Sequence, residues 1–284
     1  MTSAWTWDSA WPAPAKLNLF LHVVGRRSDG YHLLQTVFRF LDQGDTLWFE
    51  PRQDGQVVLE TPLPGVPPET DLTVRAARLL QARTGCRQGV GIRLAKRLPM
   101  GGGLGGGSSD AATVLLALNH LWGLGLSRAA LQEMGLTLGA DVPIFVFGRN
   151  AFAEGVGERL QPVALPETWY LVLEPPVAVP TQDIFRAPDL CRDTPSLSVA
   201  AWQPGQGHND LEPVACRLFP AVGEHLAWLR QRTGPGRSRM SGSGACVFAS
   251  CDDEAQARCL AAQLPPEWKG WVARGLAAHP LVAL

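Results

Sequence analysis

The first strongly patterned segment of the chain alternates in polarity over residues 15–24, AKLNLFLHVV. Such alternation places successive side chains on opposite faces of a β-strand. One face carries Leu17, Leu19, Leu21 and Val23, and the other carries Lys16, Asn18, Phe20 and His22. The segment therefore predicts a strand, and Ser28-Asp29-Gly30 predicts the turn that follows it.

Two further strands are expected at residues 33–41 and 45–50, with a break at Asp42-Gln43-Gly44. Residues 51–68 are rich in Pro and Gly, which predicts a loop with one short strand around Val57.

The pattern then changes to helical spacing over residues 71–83, DLTVRAARLLQAR. Its apolar positions recur every three to four residues, and Thr70 or Asp71 is the expected N-cap. Alternation returns at residues 90–95, VGIRLA, and predicts a strand.

A glycine-rich segment follows this strand, LPMGGGLGGGSSDAA at residues 98–112. We refer to Gly101–Gly107, which contains six glycines, as the glycine tract. Apolar spacing after it predicts a helix that begins at a Ser108-Ser109-Asp110 cap and ends near Gly123. A second helix is expected from Ser127.

The second half of the chain also mixes strands and helices, so the predicted class is α+β. Pro and Gly residues at 155–167 predict a boundary, which gives domains at residues 1–160 and 161–284. The elements expected in the second domain are a strand at 169–176, helices near 210–219 and 221–232, a glycine turn at 241–244, the strand ACVFAS and a final helix from about 253.

Composition limits the possible functions of these 284 residues. Hydrophobic residues are 46% and charged residues 18%, which is enough apolar material for a sizeable core. The formal net charge is −1, so neither a nucleic-acid partner nor a membrane surface is expected. A site for anions must therefore be local.

The cysteines and the N-terminal sequence suggest a cytoplasmic protein. Six cysteines lack CxxC spacing, which argues against a zinc site and favours reduced thiols. The N-terminal MTSAWTWDSAWPAPAK resembles no signal peptide, and no apolar run approaches the ~20 residues of a membrane span. The sequence leaves the oligomeric state open.

A glycine tract between a strand and a helix is suited to holding phosphate, because unpaired N–H groups and the helix dipole attract anions. The simplest alternative is a flexible turn. The tract satisfies GxGxxG only through its glycine density. Glu133 is near the distance at which a dinucleotide fold has an acidic residue at a strand end, but it lies in a helical pattern. Ser108 also stands where a Walker loop needs lysine.

The segment PMGGGLGGGSSDAA resembles the second motif of the galactokinase–homoserine kinase–mevalonate kinase–phosphomevalonate kinase superfamily, the GHMP kinases. PAPAKLNLFLHVVGRRSDGYHLLQT at 12–36 is similar to the first motif, and SRMSGSGACVFA at 238–249 to the third. Within the superfamily, four segments resemble the branch that acts on 4-diphosphocytidyl-2-C-methyl-D-erythritol. They are GYH at residues 30–32, LGADVPIF at 138–145, AFAEGVGE at 151–158 and HNDLEPVA at 208–215.

The resemblance implies two α+β domains with the active site in the cleft between them. It implies transfer of the γ-phosphoryl group of ATP, accompanied by Mg²⁺, to the 2-hydroxyl of the methylerythritol unit. This is a step of the non-mevalonate route to isoprenoids. The substrate would be a small molecule with a cytidine diphosphate group.

The resemblance also implies roles for individual residues. Asp141 matches the general base and Lys16 the catalytic lysine, whereas by pattern alone they are a helix N-cap and a solvent-facing strand lysine. The residues that match the ATP loop are Pro99, Met100, Gly101, Gly102, Gly103, Leu104, Gly105, Gly106, Gly107, Ser108 and Ser109, with the two serine hydroxyls near phosphate or Mg²⁺.

Substrate contacts are expected away from this loop. Tyr31 and Phe185 match an aromatic pair around the cytosine, and His32 matches a residue that reads its edge; turn packing and core packing are the alternatives. Asn18 and Thr181 are further candidates, and Lys96 is either a nucleotide contact or an ordinary surface lysine.

One residue departs from the family pattern. Asp71 stands where family members often have an asparagine near adenine, and a carboxylate cannot donate the same hydrogen bond. Two rival functions stay open: another kinase of the superfamily, such as one for mevalonate or homoserine, and a nucleotide-binding regulator without turnover.

Overall fold

A computed structural model describes residues 5–234 and 236–284, and helices and strands alternate irregularly along them, as the α+β class requires. The strands are β1 Trp11–Arg26, β2 His32–Arg52, β3 Val57–Leu59, β4 Gly89–Ala95, β5 Ala151–Glu154, β6 Arg159–Pro162, β7 Trp169–Glu174, β8 Ser238–Met240, β9 Val247–Cys251 and β10 Lys269–Arg274. The helices are α1 Leu72–Thr84, α2 Gly106–Leu121, α3 Arg128–Leu138, α4 Val142–Phe147, α5 Thr181–Arg186, α6 Glu212–Leu218, α7 Pro220–Thr233 and α8 Glu254–Ala261.

Two sheets organise these elements. The first has the order β3-β4-β2-β5-β6, with β1 paired to β2, and only its β3–β4 pair is parallel. The second is antiparallel with the order β10-β7-β9-β8. Helices α1 to α4 pack on the first sheet in one apolar core, and α5 to α8 supply residues to the core around the second.

Strand β1 lies between the two cores and has no solvent face at its centre. Leu17 packs with apolar residues of the second sheet, while Lys16 and Asn18 on the opposite face are 2% and 3% exposed. Shifts in the β1–β2 register at Pro14/Lys16 and Asn18/Leu21 change the direction in which the neighbouring β1 side chains point. The alternating pattern thus predicted the strand correctly, but its assignment of faces is wrong beyond the second shift, where Leu21 lines the same cavity as Lys16 and Asn18.

The predicted break at Asp42-Gln43-Gly44 is wrong, because β2 runs without interruption from His32 to Arg52. Gly44 is required there for a different reason. A Cβ at this position would lie 2.3 Å from the Ala13 carbonyl oxygen, so the glycine permits close passage of β1.

The predicted start of α2 is also wrong. The helix begins at Gly106, and its N-cap is Gly105 with a φ of 73°, so the serines lie inside the first turn and do not cap it. Two other helix starts agree with expectation: Asp71, one of the two expected caps of α1, accepts from the Thr73 and Val74 amides, and Ser127, the expected start of α3, accepts from the Ala130 amide.

Strand β10 was not predicted. Its sequence KGWVAR lacks an apolar/polar alternation, and it forms the edge of the second sheet beside β7. The segment after β10 contacts the first half of the chain, where isolated β-bridges join Gly275 to Leu41 and Ala278 to Arg149. The division at residue 160 stays a prediction.

Candidate active site

The glycine tract is pinned against the turn between β8 and β9. A Cβ on Gly103, whose φ is 72°, would lie 2.0 Å from the Ser241 carbonyl oxygen. The Cys246 amide donates to the Gly102 carbonyl over 3.1 Å, and the Ser241 hydroxyl donates to the Gly103 carbonyl over 2.9 Å. The second and third sequence motifs therefore form one rigid structure.

The first turn of α2 presents unpaired N–H groups. The Ser109 amide is already bonded to the Gly105 carbonyl at 2.8 Å, whereas Gly106, Gly107 and Ser108 precede the first intrahelical bond. Because Gly107 is exposed, this end of a 16-residue helix is open to an anion.

Ser109 does not take the position expected for its hydroxyl. The residue is fully buried, and its Oγ donates to the Pro14 carbonyl over 2.8 Å, which ties α2 to β1. The expectation of a Ser109 hydroxyl beside phosphate or Mg²⁺ is therefore wrong. Leu104 is likewise buried, and its carbonyl accepts from the Lys16 amide at 2.9 Å.

Two cavities meet at the tract. The glycine-tract cavity, about 310 Å³, is bordered by all six glycines of the tract, by Pro99 and Met100, and by the apolar residues Leu63, Val66 and Leu72. The Lys16 cavity, about 330 Å³, is lined by residues that include Lys16, Asn18, Asp141, Thr181 and Phe185. Gly101, Gly103 and Ser108 line both cavities, so ligands in the two would meet there.

Lys16 is held rigidly at this junction. Its Nζ donates to Asn18 Oδ1 over 2.5 Å and to the Gly103 carbonyl over 2.9 Å, and it lies 3.3 Å from Asp141 Oδ2. Asn18 in turn donates to Thr36 Oγ1 over 2.9 Å, which fixes the amide orientation. The buried ammonium is thus aimed at the cavity by β1, β2 and the glycine tract together.

Asp141 lies opposite Lys16 and is open to the cavity. It precedes α4 in a helical conformation, and its side chain makes no capping bond, unlike that of Asp71. The carboxylate is 38% exposed, in contrast to its partner Lys16. One oxygen therefore faces the ammonium, while the group stays accessible to a ligand in the Lys16 cavity.

Lys96 is not an ordinary surface lysine. Its Nζ lies 2.6 Å from Asp45 Oδ2 and 2.7 Å from Asp110 Oδ2, beneath the first turn of α2. Asp45 also accepts from the Arg97 and Leu98 amides at 2.5 and 2.8 Å. This cluster fixes the chain where it enters the glycine tract, and Lys96 and Asp110 line the glycine-tract cavity.

Burial raises the pKa of Asp110 to about 7; the Lys96 ammonium opposes this shift, and the nearby Asp45 carboxylate adds to it. An acid with a higher pKa in the folded than in the unfolded chain binds protons preferentially when folded. Its contribution to stability is full below the unfolded value of 3.8 and is lost as the pH rises towards 7.

Asp110→Asn should remove this part of the pH dependence. Between pH 4 and pH 7 the free energy of unfolding of the variant should rise relative to wild type, by at most about 1.4 kcal/mol per pH unit. Denaturant titrations across this range measure it. Asp189→Asn, in a surface pair with Arg217, is the matched control. Parallel pH profiles for Asp110→Asn and wild type would contradict the prediction.

The predicted substrate residues are brought together only in part. Phe185 and Thr181 line the Lys16 cavity, and Thr181 Oγ1 lies 2.7 Å from Ser243 Oγ. His32 lies outside the lining but stacks on Phe185, with ring centroids 4.9 Å apart. Tyr31, which precedes His32 in the chain, is 64% exposed. His32 at the start of β2 and Phe185 in helix α5 thus form an aromatic cluster at the cavity edge.

Several residues that shape the site escaped sequence reasoning. Asn209 donates to the Met240 and Gly242 carbonyls at 2.8 Å each, and Ser241 accepts from the Asn18 amide. Both lie in segments with motif resemblance, but their partners are far away in the chain. Only the folded structure shows that they buttress the glycine turn.

Gly107→Asp tests the anion site without disturbing packing. A Cβ on Gly107 would meet only Leu72 Cδ1, at an ordinary 3.5 Å. A carboxylate in the first turn favours the helix but repels phosphate, so Tm should hold or rise while KM for ATP rises at least about tenfold. Gly107→Asn, of equal size and no charge, is the control. Equal KM values for Gly107→Asp and Gly107→Asn would contradict a phosphate at this position.

Comparison with known proteins decides the family. The family described as "GHMP kinases N terminal domain" matches residues 71–149, and "GHMP kinases C terminal" matches residues 199–269. Together these matches span more than half of the chain. This chain belongs to the GHMP kinases. It is a small-molecule kinase with the two-part fold of that family, and use of ATP follows from the family.

Relatives of this GHMP kinase are similar over nearly their whole length. A 4-diphosphocytidyl-2-C-methyl-D-erythritol kinase of Dechloromonas aromatica is 64% identical over 96% of this chain and 99% of its own. The kinase of the same name from Thiobacillus denitrificans is 64% identical over 96% and 98%.

Solved structures agree with this assignment. A crystal structure of 4-(cytidine 5'-diphospho)-2C-methyl-D-erythritol kinase superposes with a TM-score of 0.81 at 39% identity, covering 94% of this chain and 99% of that one. A homoserine kinase from Cytophaga hutchinsonii shares the fold, with a TM-score of 0.71 at 17% identity and 98% coverage of both chains. None of the helices described for this GHMP kinase has the length and apolarity needed to cross a membrane.

Proposed function

We propose that this kinase transfers the γ-phosphoryl group of ATP to the 2-hydroxyl of 4-diphosphocytidyl-2-C-methyl-D-erythritol, in the non-mevalonate route to isoprenoids. The observation that carries the proposal is the meeting of two cavities at Gly101, Gly103 and Ser108, with Lys16 and Asp141 on one side of the junction. The names of relatives at 64% identity supply the substrate. The expected location is the cytoplasm.

In this proposal ATP occupies the glycine-tract cavity. Its phosphates lie over the N–H groups of Gly106, Gly107 and Ser108, where the helix dipole offsets their charge. The apolar residues Leu63, Val66 and Leu72 provide a surface for the adenine. Asp71 makes no adenine contact through its side-chain oxygen Oδ1, which is bonded to the Thr73 and Val74 amides of its own helix.

The acceptor occupies the Lys16 cavity. Asp141 takes the proton of the 2-hydroxyl as that oxygen attacks the γ-phosphorus, and ADP leaves with the bridging oxygen. Lys16, whose ammonium lies 3.3 Å from the Asp141 carboxylate, stabilises negative charge on the transferred group. Its fixed hydrogen bonds to Asn18 and Gly103 mean that no reorganisation is needed during the transfer.

A magnesium ion fits this arrangement, because Mg²⁺ is often bound by one or two protein oxygens and substrate phosphates. The described residues contain no group of three or more acidic, His or Cys side chains that could hold a metal alone. Ser108, which lines both cavities, is the residue that would hold it together with the phosphates of ATP. When bound, the ion supplies charge neutralisation on the phosphates.

The cytidine end lies at the aromatic cluster. Phe185 supplies one stacking face, exposed Tyr31 covers the base, and His32 meets its edge. Thr181 and Asn18 contact the remaining polar groups of the substrate. Stacking on a base is worth roughly 1–3 kcal/mol, so this cluster selects the acceptor.

Steady-state assays with a panel of acceptors test the proposal. The cytidyl substrate should exceed 2-C-methyl-D-erythritol 4-phosphate, mevalonate and homoserine in kcat/KM by at least about 100-fold, given the stacking and edge contacts. Equal use of acceptors without cytosine would indicate another kinase of the superfamily. ATP binding without turnover of any acceptor would indicate a regulator.

A further inference from the structure

Arg192 connects the aromatic cluster into one unit. Its Nε donates to His32 Nε2 over 3.2 Å. Its Nη2 donates to the Phe185 carbonyl over 3.0 Å and the Ala187 carbonyl over 2.7 Å, and its Nη1 to the Leu190 carbonyl over 3.0 Å. The arginine is therefore fixed by three backbone oxygens of the segment that also carries Phe185.

This contact decides which nitrogen of His32 carries the proton. A guanidinium group only donates hydrogen bonds, so the Nε2 atom that faces it must be unprotonated. Burial lowers the pKa of His32, and the charges of Arg192 and Arg26 lower it further, so the ring is neutral near pH 7. The proton of neutral His32 is then on Nδ1, which has no hydrogen-bond partner among the described protein residues.

We propose that Arg192 determines base specificity by locking His32 in the tautomer that donates from Nδ1. The inference rests on the proposed function, in which His32 meets the edge of the base. His32 and Phe185 stack with an offset, at an interplanar angle of 29°. A base on the uncovered part of Phe185 lies edge to edge with the imidazole.

The fixed Nδ1–H tautomer of His32 distinguishes cytosine from uracil by their N3 atoms. Cytosine presents an unprotonated N3, which accepts from Nδ1–H. Uracil presents N3–H, which would face a second donor and leave both groups unpaired. Without Arg192, His32 can move its proton to Nε2, and Nδ1 then accepts from uracil. Arg192 touches no substrate in this account and acts as a positioning residue.

Nitrogen-15 NMR of histidine tests the lock without substrate. At about pH 8, His32 of the wild type should show the Nδ1–H form, and Arg192→Met should raise the population of the Nε2–H form. The His32 signals are assigned with a His32→Gln variant. An Nε2–H form in the wild type, or an unchanged tautomer ratio in Arg192→Met, overturns the proposal.

Kinetics with the cytidyl substrate and its uridyl counterpart test the consequence. The wild type should prefer the cytidyl substrate at least about 100-fold in kcat/KM, and Arg192→Met should reduce this ratio at least about tenfold. Arg192→Lys, which keeps a cationic donor, should retain most of the preference. Arg186→Met, at the exposed end of the same helix α5, should retain all of it.

These measurements separate the tautomer lock from simple loosening of the segment. Loosening of the segment would raise KM for both substrates and leave the ratio of their kcat/KM values unchanged. That result overturns the proposal. Discrimination that persists in Arg192→Met together with a changed tautomer would also overturn it. Failure of the wild type to phosphorylate either substrate would refute the proposed function, whereas the NMR result tests the lock independently.

Discussion

Replacement of Asp141 by asparagine should lower kcat by about 10²–10⁴-fold, the usual effect of losing a general base. The amide has nearly the same shape but cannot accept the proton of the acceptor hydroxyl. The side chain makes no capping bond to α4, so the substitution should leave Tm nearly unchanged. Steady-state kinetics with thermal unfolding of the same preparations measures both quantities.

Asp189→Asn is the matched control for this variant, because Asp189 is a half-exposed carboxylate outside both cavities, paired with Arg217. It should keep wild-type kcat. A kcat for Asp141→Asn within threefold of wild type would remove Asp141 from the role of base. The acceptor hydroxyl would then have to lose its proton to a group other than Asp141.

Replacement of Lys16 by methionine should lower kcat by about 10²–10³-fold, the usual cost of losing a preorganised charge donor. Methionine fills similar space, which matters because the Lys16 side chain lies 3.1 Å from where a Cβ on Gly105 would be. Unlike Asp141→Asn, this change also leaves Asn18 Oδ1 without its buried donor. Some loss of stability should therefore accompany it.

Comparison with Asp141→Asn distinguishes the chemical from the structural effect of Lys16→Met. Because the two side chains act together, the double variant should lose much less than the product of the single losses. Exposed Lys269, replaced by methionine, controls for the loss of one positive charge. Full additivity in the double variant, or near-normal kcat in Lys16→Met, would contradict a joint role.

Local sequence predicts the elements whose signals are contained in a few residues. Helix α1 has its cap at Asp71 and α3 at Ser127, as expected from cap residues beside helical spacing. The glycine tract likewise lies between a strand and a helix. In each case the residues that determine the structure are neighbours in the chain.

Local sequence fails where a distant segment determines the structure. Gly44 suggested a turn, but it is needed because β1 passes within contact distance of β2. Ser109 suggested a cap or a ligand, but the Pro14 carbonyl, from a distant strand, takes its hydroxyl. In both cases the partner lies in β1, whose position between two cores no local pattern reveals.

The pairing of Lys16 with Asp141 shows the same limit. Alternation placed Lys16 on a strand, and Pro143 placed Asp141 at a helix start, but neither pattern brings the two together. Resemblance to a family predicted both roles, and the structure places their charged atoms 3.3 Å apart. Arg192 carried no motif signal, because its partners are backbone carbonyls and the ring of His32.

A structure of the kinase with a non-hydrolysable ATP analogue and 4-diphosphocytidyl-2-C-methyl-D-erythritol tests the account most directly. We predict the triphosphate over the amides of Gly106–Ser108 in the glycine-tract cavity. The acceptor 2-hydroxyl should lie within hydrogen-bond distance of the Asp141 carboxylate in the Lys16 cavity, in line with the γ-phosphorus. A nucleotide in the Lys16 cavity, or a 2-hydroxyl beyond the reach of Asp141, would contradict it.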